Sequence, residues 1–338
     1  MKVELEKVNC DFCGSDEYSF FAEQKDVIHN VNNTFFQVVS CNKCGLKFTN
    51  PRPTKKTISY FYSNKYSFHS GKSKFLLLLK NILESIAQQY LIRKISWIFP
   101  RKINLILINF LKPKIKDPAL DYIFNIKNNK KNLKFLDIGC GSGLSTNFWG
   151  SKSSLLELSK KNIEVSGVEP SLNARNILSS YGIKVFSEIE NINKEHKFDI
   201  IRLNWSLEHV HSPKKYFEFI EKYLSENGIA IICVPNINGL LYRLSPSALE
   251  LPVHLFHFDI NSLKNYATKF NLNVKKFLTF SYPGMYLFAE KIGLISKKFN
   301  FSKMSLSKAH DFSNFHTLVD NIGFGNDILL ILKKQKVN

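Results

Sequence analysis

Long apolar runs are missing from this 338-residue sequence: stretches such as residues 75–79 and 105–108 stop far short of the roughly 18 residues a membrane-spanning helix needs. The first seven residues, MKVELEK, lack the apolar stretch of a signal peptide, so the expected location is cytoplasmic. Cysteine is scarce at six residues, which rules out a disulfide-dense mini-protein. With 44% hydrophobic and 13% aromatic residues, the chain has too much core-forming material to be disordered. Acidic residues are short as well: 28 Asp and Glu face 47 Lys and Arg, a net charge of +19. Such a surplus suits phosphates or anionic membranes, and it also accompanies the Lys, Asn, Ile and Phe richness of AT-biased codon usage.

Four of the six cysteines fall in the first 44 residues as two Cys-x-x-Cys pairs, Cys10/Cys13 and Cys41/Cys44, with 27 residues between the pairs. Each pair makes a tight knuckle presenting two thiolates from one side, and two knuckles complete a tetrahedral site for structural Zn2+. Gly14 and Gly45 directly follow the second Cys of each pair, where the turn requires positive φ. Short aromatic and β-branched runs at 18–21 and 35–39 read as strands, completing a zinc-ribbon pattern over 1–53. A helical linker or lid region over 54–130 follows, with helical zones at 54–66 and 75–111 and a break at 112–118.

From residue 131 onward short apolar strands alternate with amphipathic helices, the pattern of an α/β sheet with helices on both faces. Strands are expected at 134–138, 164–169, 183–187, 199–205, 229–235, 274–280 and 327–332. Ser171 and Ser212 read as helix N-caps, Gly182 and Gly228 as helix ends, and 262–270 as a helix. Residues 284–320 are too long for a turn and read as an inserted helical cap.

The chemistry concentrates at Asp137-Ile138-Gly139-Cys140-Gly141-Ser142-Gly143, a strand running into a Gly-x-Gly-x-Gly turn before a helix. Glycines there let a ligand approach backbone amides. Leu144 occupies the position where the dinucleotide fingerprint needs its third Gly, which disfavours nicotinamide cofactors. Glu169, 26 positions beyond Gly143, ends the next strand where a carboxylate can accept ribose hydroxyls, so an adenosine-type ligand is expected.

DIGCGSG, VSGVEPS, FDIIRLNWSLEHV and PNINGL resemble class I S-adenosylmethionine-dependent methyltransferases over about residues 131–335. CDFCG, CNKCGLKFTNPRP and SYFYSNKY resemble the subgroup with a zinc ribbon in front of that domain, often concerned with sugars of surface polysaccharides and including deoxysugar C-methyltransferases. The resemblance implies a Rossmann-like fold over 131–338. It also implies S-adenosyl-L-methionine as cofactor and a nucleotide-linked or lipid-linked sugar as acceptor in polysaccharide biosynthesis. It places Asp137, Gly139, Gly141 and Gly143 around the methionine moiety, Glu169 on the ribose, and Pro170 and Glu188 near the adenine. Asn204 falls near the cofactor's amino group. Glu208 and His209 fall where a Glu-His pair removes a proton from the acceptor, with Ser206 standing where that subgroup has Tyr. His254 is the second candidate base, and Tyr62 and Tyr66 are implied substrate contacts.

A nucleic-acid methyltransferase or zinc-ribbon nucleic-acid-binding protein is the alternative suggested by the ribbon and the charge. It is disfavoured because Leu203-Asn204-Trp205-Ser206 is not the Asn/Asp-Pro-Pro-aromatic motif that grips base amino groups. Residues 72–116 carry ten Lys and Arg against one acid, Glu84, beside a broad apolar face. That combination suits peripheral contact with the inner face of a membrane as well as internal packing.

Overall fold

The structure, a computed structural model, describes residues 3–26, 34–62, 117–126, 132–143, 153–161, 163–244, 249–281 and 319–335. Tyr66, the basic segment 72–116 and nearly all of the expected cap at 284–320 lie outside the described residues. Among the described residues no helix is long and apolar enough to cross a membrane.

The chain opens with β1 (Leu5–Glu6), β2 (Tyr18–Lys25), β3 (Phe35–Cys41), β4 (Lys47–Thr49) and β5 (Arg52–Pro53). The expected helix at 54–66 is reduced to a 3₁₀ turn, Ile58–Phe61, among the described residues, because only Phe61 there is buried and no side chain caps the turn. Helix α1 (Pro118–Ile126) begins where a linker was expected, with Asp117 accepting hydrogen bonds from the Ala119 and Leu120 amides.

The α/β part follows as β6 (Leu133–Ile138), α2 (Leu155–Ser159), β7 (Ile163–Val168), α3 (Leu172–Ser180), β8 (Lys184–Phe186), β9 (Phe198–Asn204), α4 (Pro213–Tyr223), β10 (Leu224–Pro235), α5 (Leu240–Leu244), β11 (Phe256–His257), α6 (Ile260–Lys269), β12 (Leu272–Phe280) and β13 (Asp327–Lys334). Seven of these strands form one sheet in the order β12-β13-β10-β9-β6-β7-β8, in which β13 is antiparallel to both of its neighbours, β12 and β10, and the other pairs are parallel. β6 and β9 read as nearly continuous apolar runs because they lie mid-sheet and are buried on both faces. Between them the winding direction reverses: β7 and β8 extend one way, β10 the other. The C-terminal ends of β6 and β9 therefore border the crevice where ligands bind in open α/β sheets.

Local chemistry fixes the helix starts. Ser171 caps α3 by accepting from the Ala174 amide, as its position suggested. α6 starts two residues before the expected Ser262 because Asp259 and Ser262 form a reciprocal capping box. At α4 the cap comes from elsewhere: Ser212 makes no cap bond, and Asp11 accepts from both Ser212 Oγ (2.6 Å) and the Lys214 amide (2.8 Å). Gly228 ends no helix; it lies within β10, at the register irregularity between Leu224 and Ile229.

The cysteine-rich module is not set apart from the larger sheet. β4 sits between β3 and β11, giving a four-stranded sheet, β11-β4-β3-β2, that takes strands from both halves of the chain. Cys10, Cys41 and Phe48 share one hydrophobic core with Leu136, Ile138, Phe217 and Leu263. The sequence boundary at residue 53 thus crosses a continuous core.

Candidate functional site

The turn after β6 is shaped by its glycines. Gly139, Gly141 and Gly143 have φ of 73°, 54° and 65°, in the left-handed region that disfavours side chains. A Cβ on Gly139 would lie 2.4 Å from the Ser206 Cβ, and one on Gly143 2.2 Å from Leu178 Cδ2, so the turn runs hard against the segment after β9 and against α3. Ser206 braces the turn by donating to the Ile138 carbonyl at 2.8 Å, a use of this position that a tyrosine could not reproduce.

Glu169 follows β7 and is buried, accepting from the Gly141 amide (2.9 Å) and the Ser171 amide (2.8 Å). These two bonds fix the carboxylate beside the glycine turn. Asn204, at the end of β9, has both side-chain polar atoms buried without a hydrogen-bond partner. A buried amide in that condition is costly unless a ligand satisfies it. Pro170 adjoins Glu169, and its carbonyl accepts from Arg175. Glu188 is half-exposed and pairs with Lys55 at 2.8 Å while capping the short turn after β8. Glycine turn, carboxylate and unsatisfied amide together fit an adenosine-bearing, amino-acid-bearing cofactor.

Asp137 faces inward rather than toward open space. Its two oxygens accept from Arg202 Nε (2.9 Å) and Nη2 (2.6 Å), and both residues are buried.

Beyond the end of β9, a 3₁₀ turn, Leu207–His209, carries the acid–base candidates. His209 Nδ1 lies 3.0 Å from the Val253 carbonyl and 3.1 Å from the Tyr62 hydroxyl. A carbonyl can only accept, so this network assigns the proton to Nδ1 and leaves the lone pair on Nε2. That nitrogen lies 3.9 Å from Glu208 Oε1. The Glu208 carboxyl is 1% exposed with no hydrogen-bond partner on either oxygen, and burial pushes its pKa well above the ordinary value. The His254 ring packs edge-on against His209 with centroids 4.6 Å apart, and its Nε2 lies 3.4 Å from Glu250. Glu208, His209, His254 and Tyr62 are therefore together.

The four cysteines converge as expected. Cys10 Sγ is 3.4 Å from Cys44 Sγ, and Cys13 Sγ is 3.5 Å from Cys41 Sγ. All four sulfurs lie within 4.8 Å of one another, near the edge of about 3.8 Å that a tetrahedron with Zn–S of about 2.3 Å requires. Gly14 and Gly45 turn the knuckles at φ of 77° and 76°. Burial opposes ionisation of Cys41, yet hydrogen bonds from the Cys44 and Lys43 backbone bring it down to about 7. The donor set fits zinc with no position left for a substrate.

Three participants were not singled out from sequence. Arg202 carried a signal, a charge inside the apolar run FDIIRLN. Thr49, which donates to the His254 carbonyl at 2.7 Å, and Asp11 carried none, since each acts on a partner some 200 residues away.

A family profile described as "Methyltransferase domain" matches residues 107–276. A ubiquinone biosynthesis O-methyltransferase from Pelagibacter ubique (strain HTCC1062) is 34% identical over 140 residues, 39% of this chain and 54% of that protein. One of the same name from Rickettsia bellii (strain OSU 85-389) is 28% identical over 152 residues, 44% of this chain and 58% of that protein. The match thus spans little more than half the length of these curated relatives. Among solved structures, a S-adenosylmethionine-dependent methyltransferase from Clostridium acetobutylicum is 15% identical with a TM-score of 0.38, covering 70% of this chain and 98% of that one. A Haemonchus contortus phosphoethanolamine N-methyltransferase 2 is 15% identical with a TM-score of 0.44, covering 94% and 68%.

Proposed function

The chain belongs to the methyltransferase-domain family, and from that premise we propose that it methylates a hydroxyl group of a small-molecule acceptor, using S-adenosyl-L-methionine. The observation that carries this reading is the tautomer of His209: Nδ1–H is held by the Val253 carbonyl, so Nε2 presents a lone pair beside the end of β9. The cofactor supplies an electrophilic methyl on its sulfonium. The chain's own residues do the rest. The 139–143 turn and Asn204 take the amino-acid end, while Glu169, Pro170 and Glu188 take the nucleoside.

With the cofactor bound and the acceptor oxygen taking its methyl, His209 Nε2 would accept the acceptor's hydroxyl proton, and the positive charge would end on the imidazole. Glu208, 3.9 Å away and held toward its neutral form by burial, faces the ring, and Tyr62 and His254 fix the ring's orientation. The cysteine knuckles hold a structural zinc.

O-methylation is favoured over C-methylation by the similarity to the two ubiquinone biosynthesis O-methyltransferases and by Ser206, which braces the cofactor turn instead of supplying a phenol. A sugar hydroxyl remains within this reading on the strength of the cysteine-rich module alone. The test incubates the zinc-loaded chain with methyl-labelled cofactor and ring-hydroxyl, nucleotide-sugar, lipid-linked-sugar and RNA acceptors. Label is expected on a small-molecule hydroxyl, and His209→Ala should lower turnover about a hundredfold with cofactor affinity nearly unchanged. Transfer to RNA alone, or near-normal turnover by the variant, would refute the proposal.

A further inference from the structure

The one charge buried in the middle of β9 is Arg202, 1% exposed, and all three nitrogens of its head bond Asp137 or Ser153, which flank the cofactor turn in sequence. Arg202 and Asp137 are register partners in adjacent parallel strands, so their side chains leave the same face of the sheet. The guanidinium grips Asp137 with a two-pronged hydrogen bond, 2.9 Å from Nε and 2.6 Å from Nη2. Its third nitrogen, Nη1, donates to the Ser153 carbonyl at 2.9 Å and to Ser153 Oγ at 3.3 Å. The Phe135 ring lies under the cation at 4.8 Å.

Asp137 stands two residues before Gly139, and Ser153 stands directly before Ser154, the N-cap of α2. One side chain from a neighbouring strand therefore ties down both the entry to the glycine turn and the start of the helix beyond it. The turn needs this. Three glycines give the turn more conformational freedom to lose than other residues would, so fixing it on cofactor binding would cost entropy unless it were held beforehand. Stability alone does not account for the pair, because well-packed apolar residues usually do as well as, or better than, a buried ion pair, whereas a two-pronged pair specifies geometry.

We propose that Arg202 is a positioning residue that pre-organises the cofactor turn by clamping Asp137 and Ser153, and so sets affinity for the adenosyl cofactor without taking part in methyl transfer. In this chain Asp137 then acts through Arg202 on the turn's shape rather than as a direct ligand of the cofactor. The inference rests on the proposed cofactor site, and its test has an arm that does not.

Two variants separate positioning from bulk stability. Arg202→Met leaves the Asp137 charge stranded and should lower the melting temperature. Arg202→Met with Asp137→Asn removes both charges and should recover most of that loss. The clamp predicts that the double variant still binds S-adenosylhomocysteine at least about tenfold more weakly than wild type, in calorimetry, having lost charge-assisted hydrogen bonds. It also predicts that KM for S-adenosylmethionine rises while kcat stays close to wild type. Amide exchange over 139–143 should accelerate in the double variant while the amides of β9 and β10 keep their protection. Arg202→Lys, which can hold one partner but not the fork, should fall between. Wild-type affinity together with wild-type exchange in the double variant would overturn the proposal. If wild type itself fails to bind the cofactor, the cofactor reading falls, and the exchange measurement still decides whether Arg202 clamps the turn.

Discussion

Asp327 is fully buried at the first position of β13, with one oxygen accepting from Trp205 Nε1 at 2.8 Å and the other without a partner. Burial lifts its pKa to about 7. In the unfolded chain an aspartate titrates near about 3.9, so between about 4 and 7 the folded state binds the proton more tightly and this group's contribution to stability falls as pH rises. Above that window the whole cost of an ionised, half-satisfied carboxylate is present. Asp327→Asn keeps an acceptor for Trp205 and removes the charge. It should stabilise the protein by about 1 to 3 kcal/mol at pH 8 and by little near pH 4, read from urea denaturation at the two pH values. An equal shift at both would mean that the charge is not the cause. Glu208 shares this condition, with burial raising its pKa and neither oxygen bonded.

At the level of elements, α4 owes its start to a residue in the cysteine-rich module. Asp11 takes Ser212 Oγ, the Lys214 amide and the hydroxyl of Tyr266, the last at 2.7 Å. Asp11→Ala should therefore cost about 2 to 3 kcal/mol, combining a lost N-cap with a stranded buried hydroxyl. Asp11→Asn, which keeps an acceptor oxygen, should cost less. Denaturant midpoints of the two variants check this, and equal losses would show that the carboxylate's geometry is not what α4 requires. The same helix explains what sequence could and could not disclose. Strands β6, β7 and β9 were legible because buried parallel strands are short apolar runs bounded by turn residues. The glycine turn was legible because three left-handed, closely packed backbone positions demand glycine. Ser212 does stand at the N-cap of α4, but a local rule cannot anticipate that the bond to the helix amide comes from a carboxylate 201 residues away in sequence. β11 was missed for a like reason: two residues, Phe256–His257, have no period of their own and exist as a strand only beside β4.

The molecule as a whole is joined through those same non-local contacts, and this changes what zinc should do. Read from the sequence, the cysteine knuckles belong to a separate unit, and their loss would leave the cofactor site intact. The fold places Cys10 and Cys41 in one core with Leu136 and Ile138 of β6, the strand that leads into the cofactor turn. Downstream of the second knuckle, Thr49 bonds the His254 carbonyl and approaches His257 Nε2 at 3.2 Å, while Tyr62 reaches His209. A structural zinc contributes folding free energy directly, and a continuous core transmits its loss. Wild type should therefore unfold in one calorimetric transition that S-adenosylhomocysteine raises. Cys10→Ser with Cys44→Ser should lose its zinc, melt at lower temperature and bind S-adenosylhomocysteine more weakly than wild type. Two transitions, with the cofactor-dependent one unmoved by loss of zinc, would instead establish the cysteine module as an independent unit and confine its role to contacts at the rim.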